Sequence, residues 1–442
     1  MASPDIKNPP TSFFKKLKFL GPGFILSASI VGSGELIATT ILGAQAGFIA
    51  FWVILVSCVI KVGIQLEFGK NAIITGKPIM SEFNRLGGLR LGQASWTVWM
   101  TFLLTGLKIL QLGGMLGGAA IAFSLIFPSV SINFAVVLLG FSVGLLIYKN
   151  YYTLIERLST LMVFGFTFFT LLSLIAILFT PFSFSFRDIL TGMRFDLPNE
   201  YLFVAIGAFG ITGVASDEII AYTYWCQEKG YAAYTGKNDA SKAWNIRAKG
   251  WIRVMYLDAF VAMIGYTIVT AAFYLLGAAI LHGNETVPSG NELIAYLSSI
   301  YTKSLGPNAR LGYLIGAFIA LYSSVFATLA YWSRLFPDIF IQLKWWKLDT
   351  KADKDDAVKV MALVFPFLWV VTFLFLRTPA FMVLLGGVIG SILLLVVVFA
   401  AIHFRIKNDL LKLDSGLLSA GIFWLSVLSI GLISGYGILK IF

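Results

Sequence analysis

Three carboxylates and two lysines lie in stretches that are otherwise strongly apolar. Glu35 sits in "IVGSGELIATT", Asp217 and Glu218 in "GVASDEIIAYT", and Lys61 and Lys108 in two further apolar runs. A charged side chain at the centre of a bilayer costs at least about 2.5 kcal/mol, so each must be compensated or used. Gly32 and Gly34 flank Ser33 just before Glu35, and Gly210 and Gly213 precede Val214, Ala215 and Ser216 in the second stretch. Glycine costs about 1 kcal/mol against alanine inside a helix, so both stretches are predicted to break. An unwound segment exposes carbonyls that can hold a cation, and it leaves a half-helix N-terminus that attracts an anion. The implied chemistry is binding rather than bond making. No nucleophile–base pair or cofactor motif is present, so enzyme activity and a bound cofactor are not expected. Cys58 and Cys226 lie within or at the end of apolar runs, where neither a disulfide nor a thiolate metal site is expected. His282 and His403 sit near the ends of such runs and are not expected to form a metal centre.

The elements that must position these residues are membrane spans. The chain has 442 residues, 58% apolar and 12% charged, where soluble proteins carry about 25% charged residues. Its apolar runs predict eleven spans, at 20–43, 46–68, 93–127, 131–148, 156–181, 199–225, 251–281, 309–340, 357–376, 379–404 and 416–441. The net charge of +11 is concentrated in the loops on one side. The positive-inside rule then puts the N-terminus in the cytoplasm and the C-terminus outside, in a bacterial inner membrane. The basic charge reflects topology, so no nucleic-acid partner is expected. The partners are the bilayer and a transported ion or solute, and a monomer is expected to suffice. No cleavable signal peptide is expected, because the first 19 residues are polar and basic. Within this cytoplasmic tail, 1–19, residues 1–14 read as disordered. Residues 226–250 read as an ordinary solvated linker, and the outer loops 182–198 and 282–308 carry little recognisable chemistry.

The two broken stretches also match each other. At one fixed spacing Ser33 corresponds to Ser216, Glu35 to Glu218, Ile37 to Ile220, Ala38 to Ala221 and Thr40 to Thr223. They fall in spans one and six, the same place in two five-span units, 20–181 and 199–404. An odd number of spans inverts the second unit, and 416–441 adds an eleventh helix. The expected fold is an all-α polytopic membrane protein of the LeuT type: eleven helices, a 5+5 inverted repeat plus one. In such folds two discontinuous helices form a substrate site at the midplane, and one repeat or bundle rocks against the other.

Residues 21–48, "GPGFILSASIVGSGELIATTILGAQAGF", resemble the first helix of the Nramp (natural resistance-associated macrophage protein) family of proton-coupled divalent-metal transporters. "AIGAFGITG" at 205–213 resembles that family's sixth helix, and "IGAFIALYSSVFATLA" at 315–330 its eighth. The departures are specific. Gly32, Ser33, Gly34 and Glu35 stand where the family has Asp-Pro-Gly-Asn. The family's Met-Pro-His falls on Val214–Ser216 or on Ala215–Asp217, with neither thioether nor imidazole. The third span has Gln111 and Gly114 where the family carries acids, with Lys108 one turn earlier. The ninth span, with only Lys359 near its start, lacks the family's arginine pair. The resemblance therefore implies an outlying branch without the usual metal motifs or proton route.

Two uses of the site remain open. Glu35, Asp217 and Glu218 could converge with backbone carbonyls on a hard cation such as Mg2+; Mn2+ also accepts oxygen ligands. Alternatively, the Gly-Ser-Gly break resembles that of amino-acid transporters of the same general fold. Its N–H groups would then receive a substrate carboxylate or other small anion. Lys108 would compensate charge or stand in for a coupling cation by pairing with Glu35 or Asp217, or form a fixed ion pair. Gln111, Ser323 and Ser324 are candidate coupling groups. Lys61, with Glu67 beyond it, is expected to make a structural pair. Asp258, five residues after Arg253, is expected to line an inner vestibule or to pair locally.

Overall fold

The computed structural model describes residues 6–23, 32, 34–149, 152–283, 287–409, 413 and 416–441. Ser33 and residues 24–31 of the first predicted span lie outside this set. Among the described residues eight helices are long and apolar enough to cross a membrane, joined by two shorter apolar helices, Ile132–Tyr148 and Val163–Ile177. Apart from one two-residue hairpin, β1 (Arg90–Leu91) with β2 (Ala94–Ser95), the described fold is helical.

After a short α1 (Phe13–Leu17), a π-helical turn, Gly34–Thr39, runs into α2 (Thr40–Ala46). The second span is α3 (Phe51–Thr75), followed by α4 (Ile79–Phe83) and the hairpin. The third span is interrupted at Lys108, between α5 (Trp96–Leu107) and α6 (Ile109–Ile126). Next come α7 (Ile132–Tyr148), α8 (Tyr152–Ile177) and α9 (Phe186–Thr191). The sixth predicted span is broken, as α10 (Leu202–Ile211) and α11 (Ser216–Glu228). Then follow α12 (Tyr231–Thr235), α13 (Lys242–Leu281), α14 (Leu293–Leu305), α15 (Ala309–Gln342), α16 (Lys351–Leu376), α17 (Pro379–Asp409) and α18 (Leu417–Ile441).

The helices pack in two groups. In one, α13 lies along both α3 and α2, and α11 packs on α3. In the other, α6 lies against α15 and α16, and α16 lies against α7. The long α17 touches both groups, meeting α10 on one side and α6 on the other. The α10–α17 contact is close because it is made by glycines: a Cβ on Gly207 would come within 2.8 Å of the Leu384 carbonyl, and one on Gly210 would overlap the backbone of Gly387. Small residues allow such approach where helices share an apolar solvent and gain from backbone proximity.

Residues 6–14 correct the expectation of a disordered tail, of which residues 1–5 lie outside the described residues. Lys7 N–H donates to the Tyr234 carbonyl (3.1 Å), and the Trp251 indole donates to the Lys7 carbonyl (3.0 Å). Phe19, Tyr231, Tyr234 and Trp251 form one aromatic cluster behind this contact. The stretch 226–250 is accordingly not a solvated linker. It folds into α12 and the start of α13, with Tyr231 and Trp244 buried. Its polar residues carry the sequence signal, but its aromatic residues decide the packing. The stretch 282–308 likewise contains α14, whose Leu293, Leu297 and Tyr301 are buried.

Candidate functional site

The two breaks are built alike. Leu36 N–H bonds the Gly32 carbonyl and Ile219 N–H bonds the Ala215 carbonyl, both at 2.9 Å. These opening helical bonds fall on residues that correspond at the same spacing as Glu35 and Glu218. Gly213 supports the second break with φ +62°, a left-handed conformation that disfavours any side chain. A Cβ there would also come within 2.9 Å of Cys58 Cα. The breaks touch directly, since a Cβ on Gly34 would lie 2.8 Å from the Ile211 carbonyl. Only glycine at position 34 lets one broken helix pass this close to the other.

The two glutamates then diverge. Glu218 folds back on its own helix start, where Oε2 accepts the Ala215 N–H (2.9 Å). Glu35 is fully buried and reaches across. Its Oε1 accepts the Thr270 hydroxyl of α13 (3.0 Å) and, at 3.4 Å, the Gly213 N–H of the second break. Its Oε2 is buried without a hydrogen-bond partner. Such an atom is costly unless something else meets it.

Asp217 is engaged differently. Oδ1 pairs with the Lys108 ammonium and Oδ2 accepts the Tyr331 hydroxyl (2.7 Å), which in turn accepts the Trp332 indole N–H (2.7 Å). Lys108 sits at the interruption of the third span and Tyr331 on α15, so this ion pair ties α11 to the other helix group. Because Asp217 is held there, the three carboxylates do not converge as expected. Among the described residues no three Asp, Glu, His or Cys side chains gather as a metal-binding group.

Between the breaks lies a cavity of about 30 Å3, walled by Gly34, Lys108, Gln111, Met115, Ala215, Asp217, Glu218 and Thr328 among others. Gln111 Oε1 is buried there without a hydrogen-bond partner. Ser216 Oγ, at the start of α11, is also buried and unpartnered, while Val214 is simply buried. Ser323 bonds its own helix at the Ala320 carbonyl (3.1 Å), and neither it nor Ser324 lines the cavity. Sequence reasoning missed Met115, Thr328, Thr270 and Tyr331. Nothing in their spacing marks them, because they reach the site only through packing.

Two further buried charges differ from expectation. Glu67 pairs with Arg405 of α17 (2.7 Å), not with Lys61. Asp258 accepts the backbone N–H groups of Gly21 (2.8 Å) and Gly23 (2.5 Å) and the Tyr222 hydroxyl (3.1 Å). It therefore pins the start of the first apolar segment to α13 and α11, and is not a local partner of Arg253. Charge-assisted hydrogen bonds contribute about 1.5–3 kcal/mol each. Asp258→Asn, which keeps the shape but removes the charge, is expected to lower stability by about that much. Thermal unfolding in detergent measures it, and an unchanged midpoint would contradict this role.

Two helix groups around a pair of facing breaks define a transporter of the discontinuous-helix class. The chain belongs to the Nramp family: the family model described as "Natural resistance-associated macrophage protein-like" matches residues 23–440. An uncharacterized protein of Pasteurella multocida is 24% identical over 73% of this chain and 71% of its own length. The divalent metal cation transporter MntH of Caldanaerobacter subterraneus is 25% identical over 65% of each chain. Among solved structures, a mutant of the Eremococcus coleocola manganese transporter superposes with a TM-score of 0.73 at 16% identity, covering 97% of this chain and 88% of that one. Mhp1, a nucleobase-cation-symport-1 family transporter, superposes with a TM-score of 0.58 at 13% identity, covering 98% and 94%. These superpositions establish the LeuT-type fold expected from the sequence.

Proposed function

We propose that this Nramp-family membrane protein is a secondary-active transporter of a divalent metal cation, a hard ion such as Mg2+ with Mn2+ as the second candidate. The single observation that carries this reading is the small cavity between the breaks. It offers oxygen donors from Glu218 and Gln111; Glu35, whose Oε2 is buried and unpartnered, does not line it but directly follows Gly34, which does. The cavity's small size and oxygen-bearing lining suit an ion better than a larger organic solute. Oxygen donors suit Mg2+, which dehydrates reluctantly and keeps several waters. Met115 is among the lining residues, and a methionine, as a softer donor, keeps Mn2+ in the set. The relatives' names, a divalent metal cation transporter and a manganese transporter, point the same way.

In this reading Glu35 and Glu218 hold the ion with carbonyls of the breaks. Asp217 is neutralised by Lys108 and takes no direct part. The two helix groups rock about this midplane site, and the Lys108–Asp217–Tyr331 contact is the joint between them. The third span carries Lys108 and Gln111 rather than acids, so the cycle runs without the usual proton route. The protein works as a monomer in a bacterial inner membrane, with the N-terminus in the cytoplasm and the C-terminus outside.

Proteoliposomes loaded with a metal indicator and, separately, with a pH indicator test this. The expected result is saturable Mg2+ or Mn2+ uptake without internal acidification, lost in Glu218→Gln. Uptake of an amino acid with no metal flux would overturn it, and metal-dependent acidification would overturn the proton-independent cycle.

A further inference from the structure

Lys61 is as deeply buried as any side chain in the protein, at 0% exposed, yet no carboxylate forms an ion pair with it among the described residues. Its ammonium instead donates to two backbone carbonyls, Phe209 and Thr212 (2.9 Å to the second). These carbonyls terminate α10 at the sixth-span break. Ser57, one turn earlier on α3, donates its hydroxyl to the same two carbonyls, at 3.0 Å each. The Thr212 hydroxyl closes the group by donating to Ser57 Oγ (2.9 Å). The Phe209 ring lies 4.8 Å from the ammonium. A positive charge thus sits in a nest of oxygens at the C-terminal, negative end of a half-helix. Discontinuous-helix transporters use such unwound carbonyls and half-helix C-termini to coordinate a small monovalent coupling ion.

We propose that Lys61 is a tethered cation that permanently occupies a monovalent-cation site at the end of α10. The protein therefore needs no mobile Na+ or K+ there, and removing the side chain uncovers a latent site for a small monovalent cation. The alternative is a lysine that only fills space between α3 and α10, since Ser57 already donates to both carbonyls. The two differ in what replaces the lysine. A space-filler is replaced by any apolar group of similar size. A tethered cation is replaced only by another cation that fits. The inference goes beyond the divalent-cation reading and does not depend on which substrate the protein carries, because its readout contains no divalent ion.

The experiment compares wild type, Lys61→Ala and Lys61→Met in detergent without divalent ions. Unfolding midpoints are measured in NaCl, KCl, ethylammonium chloride and N-methyl-D-glucamine chloride at equal ionic strength. Wild type is expected to unfold at one temperature in all four salts. Lys61→Ala is expected to unfold several degrees lower in N-methyl-D-glucamine. At least half of that loss should be recovered, saturably, in ethylammonium or in one of the two alkali ions. Lys61→Met, which fills the volume without charge, is expected to be destabilised and not recovered by any salt. Two results would overturn the proposal: a Lys61→Met protein as stable as wild type, or a Lys61→Ala protein that responds equally to all four cations. If the alanine variant does not fold, the methionine variant alone decides, since wild-type stability in it contradicts the proposal and salt-independent destabilisation supports it.

Discussion

Lys108→Met is expected to destabilise the protein by about 3–5 kcal/mol, the usual cost of leaving one member of a buried ion pair uncompensated. Lys108 and Asp217 are 1% and 7% exposed. Removing the ammonium leaves the Asp217 carboxylate without its cation, with the Tyr331 hydroxyl on its far oxygen. The double variant Lys108→Met, Asp217→Leu is expected to recover most of the loss, because removing both charges at once is often neutral. Chemical or thermal unfolding of the two single variants and the double variant measures the coupling. The pair also joins the two helix groups, so the double variant, although stable, should transport abnormally. Additive losses in the cycle would contradict a direct pair.

The second large effect concerns Glu35. Without an ion, Glu35→Gln is expected to leave stability unchanged or slightly raised, because it removes a buried charge whose Oε2 has no hydrogen-bond partner. The Thr270 bond survives, since a glutamine carbonyl accepts it as the carboxylate does. Affinity for the transported cation should fall sharply. Losing one partner of a buried charge contact costs about 2–5 kcal/mol, which is roughly 30-fold or more in the dissociation constant. Titration calorimetry on the folded variant measures it. Retained affinity would remove Glu35 from the site.

Much of this arrangement is written in the sequence. Gly213 and the glycines around Ser33 mark two breaks, and the correspondence of Glu35 with Glu218 extends to the hydrogen bonds that open each half-helix. The spans are legible because hydropathy is a local property. Lys108 is recognisable as a buried charge in need of an acid, and Asp217 was one of two partners the sequence offered. What the sequence does not disclose is choice among partners. Lys61 selects carbonyls on a helix that is remote in sequence, and a backbone acceptor has no residue type to read. Asp258 selects the N–H groups of Gly21 and Gly23 for the same reason. Glu35, Asp217 and Glu218 look equivalent in the chain. Packing separates them: one bridges the breaks, one is neutralised, and one caps its own helix beside the cavity. The packing of residues 6–20 was hidden because one anchor, Tyr234, lies in a stretch whose composition reads as polar, and the other, Trp251, is the first residue of the predicted seventh span.

The most direct measurement is a thermal-unfolding panel on the purified protein with Mg2+, Mn2+, Ca2+ and the common amino acids, run on wild type and on Glu35→Gln. A ligand at about 100 times its Kd stabilises by about 2.7 kcal/mol, a readable shift. The expected result is stabilisation of wild type by Mg2+ or Mn2+ that vanishes in Glu35→Gln. Stabilisation by an amino acid with no response to any metal would contradict the account: the chain would then have kept the family's fold and changed its substrate.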